Sequence, residues 1–237
     1  MRFLRLHGFT GSPQSLAEFG TTDGSVTPTL GGHLGTPVTG SFSDEVERLA
    51  ELGRGCDGIF GYSLGGRFAL ALLARYPERF RRAVIVSAHP GLPSEAERAQ
   101  RRAGDARFVA LLRERGLTAF VDAWQALPLW ASQGALPEPI KAAQRQQRLR
   151  HDPEGLAQSL LRHGLGEMPD LRPRLALVKS QVELVVGELD AKFAALGREL
   201  TGIIPGARLL NAAGAGHNLL LERPQLLSEL LSRDPPP

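Results

Sequence analysis

The sequence predicts an α/β fold: a mostly parallel sheet with helices on both faces and a helical cap inserted between two of its strands. Three observations carry this expectation. Short apolar runs bounded by glycine alternate with helical periodicity, as in βαβ units. One of these runs passes directly through Gly61-Tyr62-Ser63-Leu64-Gly65 into a helix. Between Pro90 and Pro173 there are helical patterns but no convincing strand.

In chain order, residues 3–6 read as a short strand ending at His7-Gly8, and 58–61 as a second. Residues 64–75 read as a helix, rich in Ala, Leu and Arg. The run 83–88 has β-branched residues without alternation, the mark of a strand covered on both faces. Residues 183–187 and 208–211 look similar, and 225–231 makes a closing helix started near Pro224. Within the cap, helices are expected over 95–115, 118–126, 141–150 and 155–163, punctuated by prolines. The domain reading is a core of residues 1–89 and 174–237 with a cap of 90–173. The tail 234–237 is expected to fray.

Composition is that of an ordinary globular chain: 237 residues, 42% hydrophobic and 22% charged. With 28 basic and 25 acidic residues the charge is too balanced to indicate a nucleic-acid or membrane partner. The lone Cys56 excludes an intramolecular disulfide and a multi-cysteine metal site. Arg5 and His7 interrupt the first apolar run, so no secretory signal is read, and a cytoplasmic, reduced chain is expected.

The Gly-x-Ser-x-Gly stretch has a mechanical rationale. A sharp strand-to-helix turn holds Ser63 in a strained conformation, and the flanking glycines let strand and helix approach closely. A chance match in a chain with 27 glycines is the alternative, and the strand–turn–helix context argues against it. A serine hydroxyl needs a base, and the base an orienting carboxylate. Asp190 and His217 follow later strands, and the order Ser, Asp, His is that of α/β-hydrolases. Glu188 competes with Asp190 on sequence alone. The two backbone donors of an oxyanion hole are expected from Leu64 and from Phe9 in the His7-to-Gly11 loop, with His7 structural rather than proton-moving.

HGFTGS, GYSLGGRFAL, HPGL, LTAFVDAWQALPLWAS, GELDAKF and AGHN, in this order, resemble the 2-succinyl-6-hydroxy-2,4-cyclohexadiene-1-carboxylate synthase family of menaquinone biosynthesis. The resemblance runs from His7 to Pro224. Met168-Pro169 stands where the family usually has Gln-Pro. The resemblance implies a lyase without metal or organic cofactor. Ser63 would take a proton from 2-succinyl-5-enolpyruvyl-6-hydroxy-3-cyclohexene-1-carboxylate, His217 would accept the serine proton, Asp190 would orient the imidazole, and pyruvate would leave. A serine hydrolase working through an acyl-enzyme is the alternative.

It also implies Arg67, Arg101 and one of Arg148 or Arg150 as clamps for a small anionic substrate. Physically, guanidinium groups suit carboxylates because they pair bidentately. Residues 98–115 carry six arginines against Asp105 and Glu114, although charge runs are usually solvated helix faces. Tyr62 and Trp124 are expected as an aromatic wall, with core packing the competing reading, more so for Trp130. The sequence does not indicate an oligomeric state.

Overall fold

The computed structural model describes residues 1–17 and 24–233, so the tail 234–237 lies outside the described residues. In order, the elements are β1 (Phe3–Leu6), α1 (Phe42–Leu52), β2 (Gly58–Tyr62), α2 (Leu64–Arg75), β3 (Arg82–Val86), α3 (Glu95–Gln125), α4 (Glu138–Arg148) and α5 (Pro153–His163). They continue with α6 (Arg172–Leu175), β4 (Gln181–Gly187), α7 (Ala191–Ile203), β5 (Arg208–Ala212), α8 (Leu219–Glu222) and α9 (Pro224–Ser232). Short 3-10 helices occupy Pro13–Leu16 and Pro128–Ala135.

The five strands lie in the order β1-β2-β3-β4-β5, and all four pairings are parallel. Alternation along each strand divides the core. Leu4, Leu6, Ile59, Ala83, Ile85, Val182 and Leu184 pack with α1 and α2 on one face. Phe3, Phe60, Val84, Val86 and Val185 pack with α8 and α9 on the other. A parallel strand is buried on both faces, which is why these runs read as continuously apolar. Register pairs Leu6 with Gly61, Tyr62 with Val86, Val86 with Val185 and Gly187 with Ala212. The carboxyl ends therefore share one edge, where α/β sheets place their ligands.

Helices α1 and α7 have no counterpart among the sequence expectations above. The signal for α1 is present: Ser41 and Asp44 form a reciprocal capping box, followed by buried Phe42, Val46, Leu49 and Ala50 on one stripe. Phe42 stacks on Phe68 of α2 at 4.7 Å between ring centroids. Burying such a ring contributes about 2 kcal/mol or more.

Between β3 and β4 the chain forms helices only. Gly116, with φ 77°, interrupts α3 where the sequence expected one helix to end near 115 and another to begin near 118. Helix α4 begins and ends a few residues earlier than expected, stopping at Arg148, and Asp152 caps α5 through the Gly155 N–H. Val109, Leu112, Phe120, Val121, Leu156, Ala157 and Leu160 give this excursion its own apolar cluster, with Phe9 packed against it. Its two ends meet: the Leu171 N–H donates to the Pro90 carbonyl at 2.9 Å. Gly91, at φ 105°, passes so close that an added Cβ would lie 2.2 Å from the Pro169 carbonyl oxygen.

Candidate active site

Ser63 follows β2 directly and caps α2 with φ 52° and ψ −106°, a conformation that L residues rarely adopt. Two contacts hold it there: its N–H donates to the Val86 carbonyl, and its own carbonyl accepts from the Arg67 N–H, both at 2.9 Å. The glycines make the turn possible. A Cβ on Gly61 would lie 2.4 Å from the Gly65 oxygen, and one on Gly65 would lie 2.2 Å from the Leu6 oxygen.

The partner side chains arrive from the ends of β4 and β5. His217 Nε2 lies 3.0 Å from Ser63 Oγ, and His217 Nδ1 lies 2.7 Å from Asp190 Oδ2. A carboxylate only accepts, so Nδ1 carries the ring proton and Nε2 faces the serine hydroxyl as the acceptor. Asp190 is further fixed as the cap of α7, accepting from the Phe193 N–H at 3.4 Å. Glu188, the competing carboxylate, points elsewhere and accepts from the Gly214 N–H at 2.8 Å. Sequence reasoning missed Glu222, whose two oxygens accept from the Gly216 and Asn218 N–H groups at 2.7 and 3.2 Å, one on each side of His217. The His217 ring is enclosed by Phe193, Trp130 and Tyr62, with centroids 4.5, 5.4 and 5.7 Å away. Such a chain can make the serine hydroxyl a nucleophile or a proton acceptor.

A cavity of about 320 Å³ opens over Ser63. Phe9, Tyr62, Leu64, Arg67, Arg101 and Trp124 all line it. The Leu64 N–H is the first of its helix and has no turn behind it to donate to. Phe9 lies in the loop after β1, where a Cβ on Gly8 would come 3.6 Å from that of Ser63. His7 is buried, its Nε2 accepting from the Leu30 N–H at 3.1 Å and its Nδ1 donating to the Gly8 carbonyl at 2.9 Å. Burial pulls its pKa down to about 4.

The cations divide into two groups. Arg67 donates to the His163 carbonyl at 2.9 Å and has no carboxylate partner among the described residues; burial lowers it to about 9, still cationic at neutral pH. Arg101 shares the cavity but is paired with Asp105 at 2.9 Å. Arg148 is buried behind Trp130, its guanidinium 5.2 Å from that ring, lining a smaller pocket with Tyr62, Gly8 and Asn218. Among the described residues it too lacks a carboxylate and its Nη1 has no hydrogen-bond partner, and burial lowers it to about 10. Arg150 is a correction: α4 ends at Arg148, and the following turn leaves Arg150 exposed and outside both pockets. Met168 is buried beneath Arg67, its sulfur 3.9 Å from Nη1.

His89, His163 and Lys192 also line the cavity and were not among the sequence candidates for the site, and Trp130, for which core packing was the favoured reading, lines it too. His89, Trp130 and Lys192 stand in the motifs HPGL, LTAFVDAWQALPLWAS and GELDAKF, with Lys192 two residues after Asp190, whereas His163 had no such signal. His89 Nδ1 accepts from the Gly91 N–H at 3.1 Å, and burial with the neighbouring cations Lys192 and Arg67 lowers its pKa to about 3. Among the described residues no group of three or more His, Cys, Asp or Glu could hold a metal ion. No helix among them is long and apolar enough to cross a membrane.

The model of the Alpha/beta hydrolase family matches residues 6–230. A Bacillus subtilis (strain 168) protein, provisionally named for the synthase that follows, is 35% identical over 96% of this chain and 87% of its own. The 2-succinyl-6-hydroxy-2,4-cyclohexadiene-1-carboxylate synthase of Salmonella agona (strain SL483) is 31% identical over 92% of this chain and 87% of its own. Among solved structures, MenH from S. aureus superposes with a TM-score of 0.88 at 29% identity, covering 97% of this chain and 91% of that one. A thermophilic esterase from Thermogutta terrifontis, at TM-score 0.80 and 21% identity over 98% and 88% of the two chains, shares the fold. By the breadth of these matches, the chain belongs to the alpha/beta hydrolase family and, within it, to the family of 2-succinyl-6-hydroxy-2,4-cyclohexadiene-1-carboxylate synthases.

Proposed function

We propose that the protein is a carbon–oxygen lyase that eliminates pyruvate from 2-succinyl-5-enolpyruvyl-6-hydroxy-3-cyclohexene-1-carboxylate to give 2-succinyl-6-hydroxy-2,4-cyclohexadiene-1-carboxylate. Ser63, His217 and Asp190 are the catalytic triad in this reading. Ser63 Oγ takes a proton from the ring as its own proton passes to His217 Nε2, and Asp190 steadies the imidazolium. The electron pair of the broken C2–H bond forms the C2=C3 double bond, and the pair of the existing C3=C4 double bond moves to C4=C5 as the oxygen on C5 departs. The C–O bond to the enolpyruvyl group breaks, and the departing enolate takes up a proton to become pyruvate. The Phe9 and Leu64 N–H groups form the oxyanion hole for negative charge developing on the substrate.

The observation that carries this reading is a pair of guanidinium groups without carboxylate partners among the described residues, half-buried Arg67 in the cavity over Ser63 and buried Arg148 in the smaller pocket across Trp130. A buried cation without a counter-ion is costly, and an anionic substrate supplies one. Arg101 and Lys192 add positive charge to the same end, while Tyr62, Trp124 and Trp130 give the ring an aromatic wall. The test is to supply enzymatically generated substrate and follow pyruvate release beside a nitrophenyl-ester assay. Rapid pyruvate release with slow ester cleavage is expected; the reverse ranking would favour an acyl-enzyme hydrolase.

A further inference from the structure

Phe9 is flanked by peptides that three buried imidazoles hold in place. On its N-terminal side, the Gly8 carbonyl accepts from His7 Nδ1. On the other, Thr10 sits at φ 59°, and both of its backbone groups are engaged by histidines. Its N–H donates to His33 Nε2 at 3.2 Å, and its carbonyl accepts from His151 Nε2 at 3.0 Å. The other nitrogens close the set: His33 Nδ1 donates to the Gly31 carbonyl at 3.1 Å, and His151 Nδ1 accepts from the Leu34 N–H at 3.3 Å. The rings stand edge to face in series, with His7 and His33 centroids 5.0 Å apart and His33 and His151 centroids 5.3 Å apart.

His151 alone of the three comes from the helical excursion, in the turn between α4 and α5. That turn and the first turn of α5 are seated together on the loop of residues 30–36. A Cβ on Gly32, at φ 84°, would lie 2.3 Å from the Gly155 carbonyl oxygen. Because Leu34 presents an N–H to Nδ1, the proton of neutral His151 is confined to Nε2, where it meets Thr10. Burial favours that neutral form.

We propose that His151 is a positioning residue: by holding the Thr10 carbonyl it fixes the turn of residues 8–11, closed by the Gly11 N–H on the Gly8 carbonyl at 2.9 Å, that carries the Phe9 N–H, so the anion-stabilising pocket is complete only while the α4–α5 turn is seated. This rests on the reading of Phe9 and Leu64 as the oxyanion hole. A cap residue that served only as packing would affect stability without selectively affecting the step in which charge develops.

The test uses His151→Asn and His151→Gln with the cyclohexene substrate. Asparagine keeps an acceptor for the Leu34 N–H but is too short to reach Thr10, whereas glutamine offers acceptor and donor at nearly the ring spacing. His151→Asn should lower kcat about tenfold, with KM within about twofold and a melting temperature within a few degrees of the parent, and His151→Gln should return kcat to within about threefold. Unchanged kcat in His151→Asn, a loss confined to KM, or a Gln variant no better than Asn overturns the proposal. If the Asn variant does not fold, a folded Gln variant with a tenfold lower kcat overturns it alone. Ser63→Ala is assayed in parallel. Turnover surviving that change would sink the reading of the site itself, whereas an inactive Ser63→Ala beside a fully active His151→Asn would sink only the role of His151.

Discussion

Arg67 Nη1 and the main-chain carbonyl of His163 meet at 2.9 Å, tying the helix that follows Ser63 to the last turn of α5. One guanidinium thus braces the cap and presents its remaining donors to the cavity. Arg67→Ala should lower kcat/KM for the anionic substrate by about a hundredfold or more, the scale of a buried charge pair losing one member. Turnover of a neutral nitrophenyl ester should stay within about twofold. Equal losses on both substrates would place Arg67 in the framework instead.

Ser63→Ala should reduce pyruvate release by about three orders of magnitude or more, as removal of one member of an interdependent set does. The fold should survive. Ser63 is held by its backbone, through Val86 and Arg67, and among the described residues its side chain bonds only to His217. Melting curves and steady-state rates on one preparation separate the two effects.

Acid should weaken the fold before the carboxylates titrate. His7 and His163 are buried and lowered to about 4 from the ordinary 6.5. Between those values the unfolded chain binds protons that the folded chain does not, so stability falls as pH falls and the loss is complete near pH 4. For His7 the full effect is on the order of 3 kcal/mol. Urea midpoints at pH 7.5, 6.5 and 5.5 should decline in that order, and a flat series would mean that these rings are not held neutral.

Two glycines should respond oppositely to alanine. At Gly65 the added Cβ would meet the Leu6 and His7 carbonyl oxygens at 2.2 and 2.6 Å, rigid backbone that cannot yield without separating α2 from β1. Gly65→Ala should cost several kcal/mol or prevent folding. Gly202 lies near the end of α7 with nothing within 4 Å of an added Cβ, and Gly202→Ala should stabilise by about 0.5 kcal/mol. Thermal melts of the two variants check both signs.

The parts of the fold written in local pattern were legible in the chain. Residues 3–6 and 64–75 bound β1 and α2 as expected, and the break near Gly116 was visible as a change in helical pattern. Helix α1 announced itself through Ser41 and Asp44, yet its signal is spread over a polar surface stripe and is easily passed over. In the site, chain order brought out Ser63, Asp190 and His217, whose side chains meet in the structure. The choice between Arg148 and Arg150 was not legible, because two residues at a helix end differ only in which way the last turn faces. His163 was invisible for a related reason, whereas His89 stood in HPGL with no role attached to it. The His163 carbonyl meets Arg67 where distant segments cross, and no spacing records that; Glu222 lies only four and six residues from the N–H groups it holds, a local signal that is easily passed over.

The joined ends of the excursion between β3 and β4 give the molecule a modular character. With Pro90 and Leu171 already bonded to each other, the intervening residues hang from a closed neck, and the sheet does not rely on them to keep its strands together. A lineage could therefore exchange this cassette for another and reach new chemistry over an unaltered Ser63–His217–Asp190 floor.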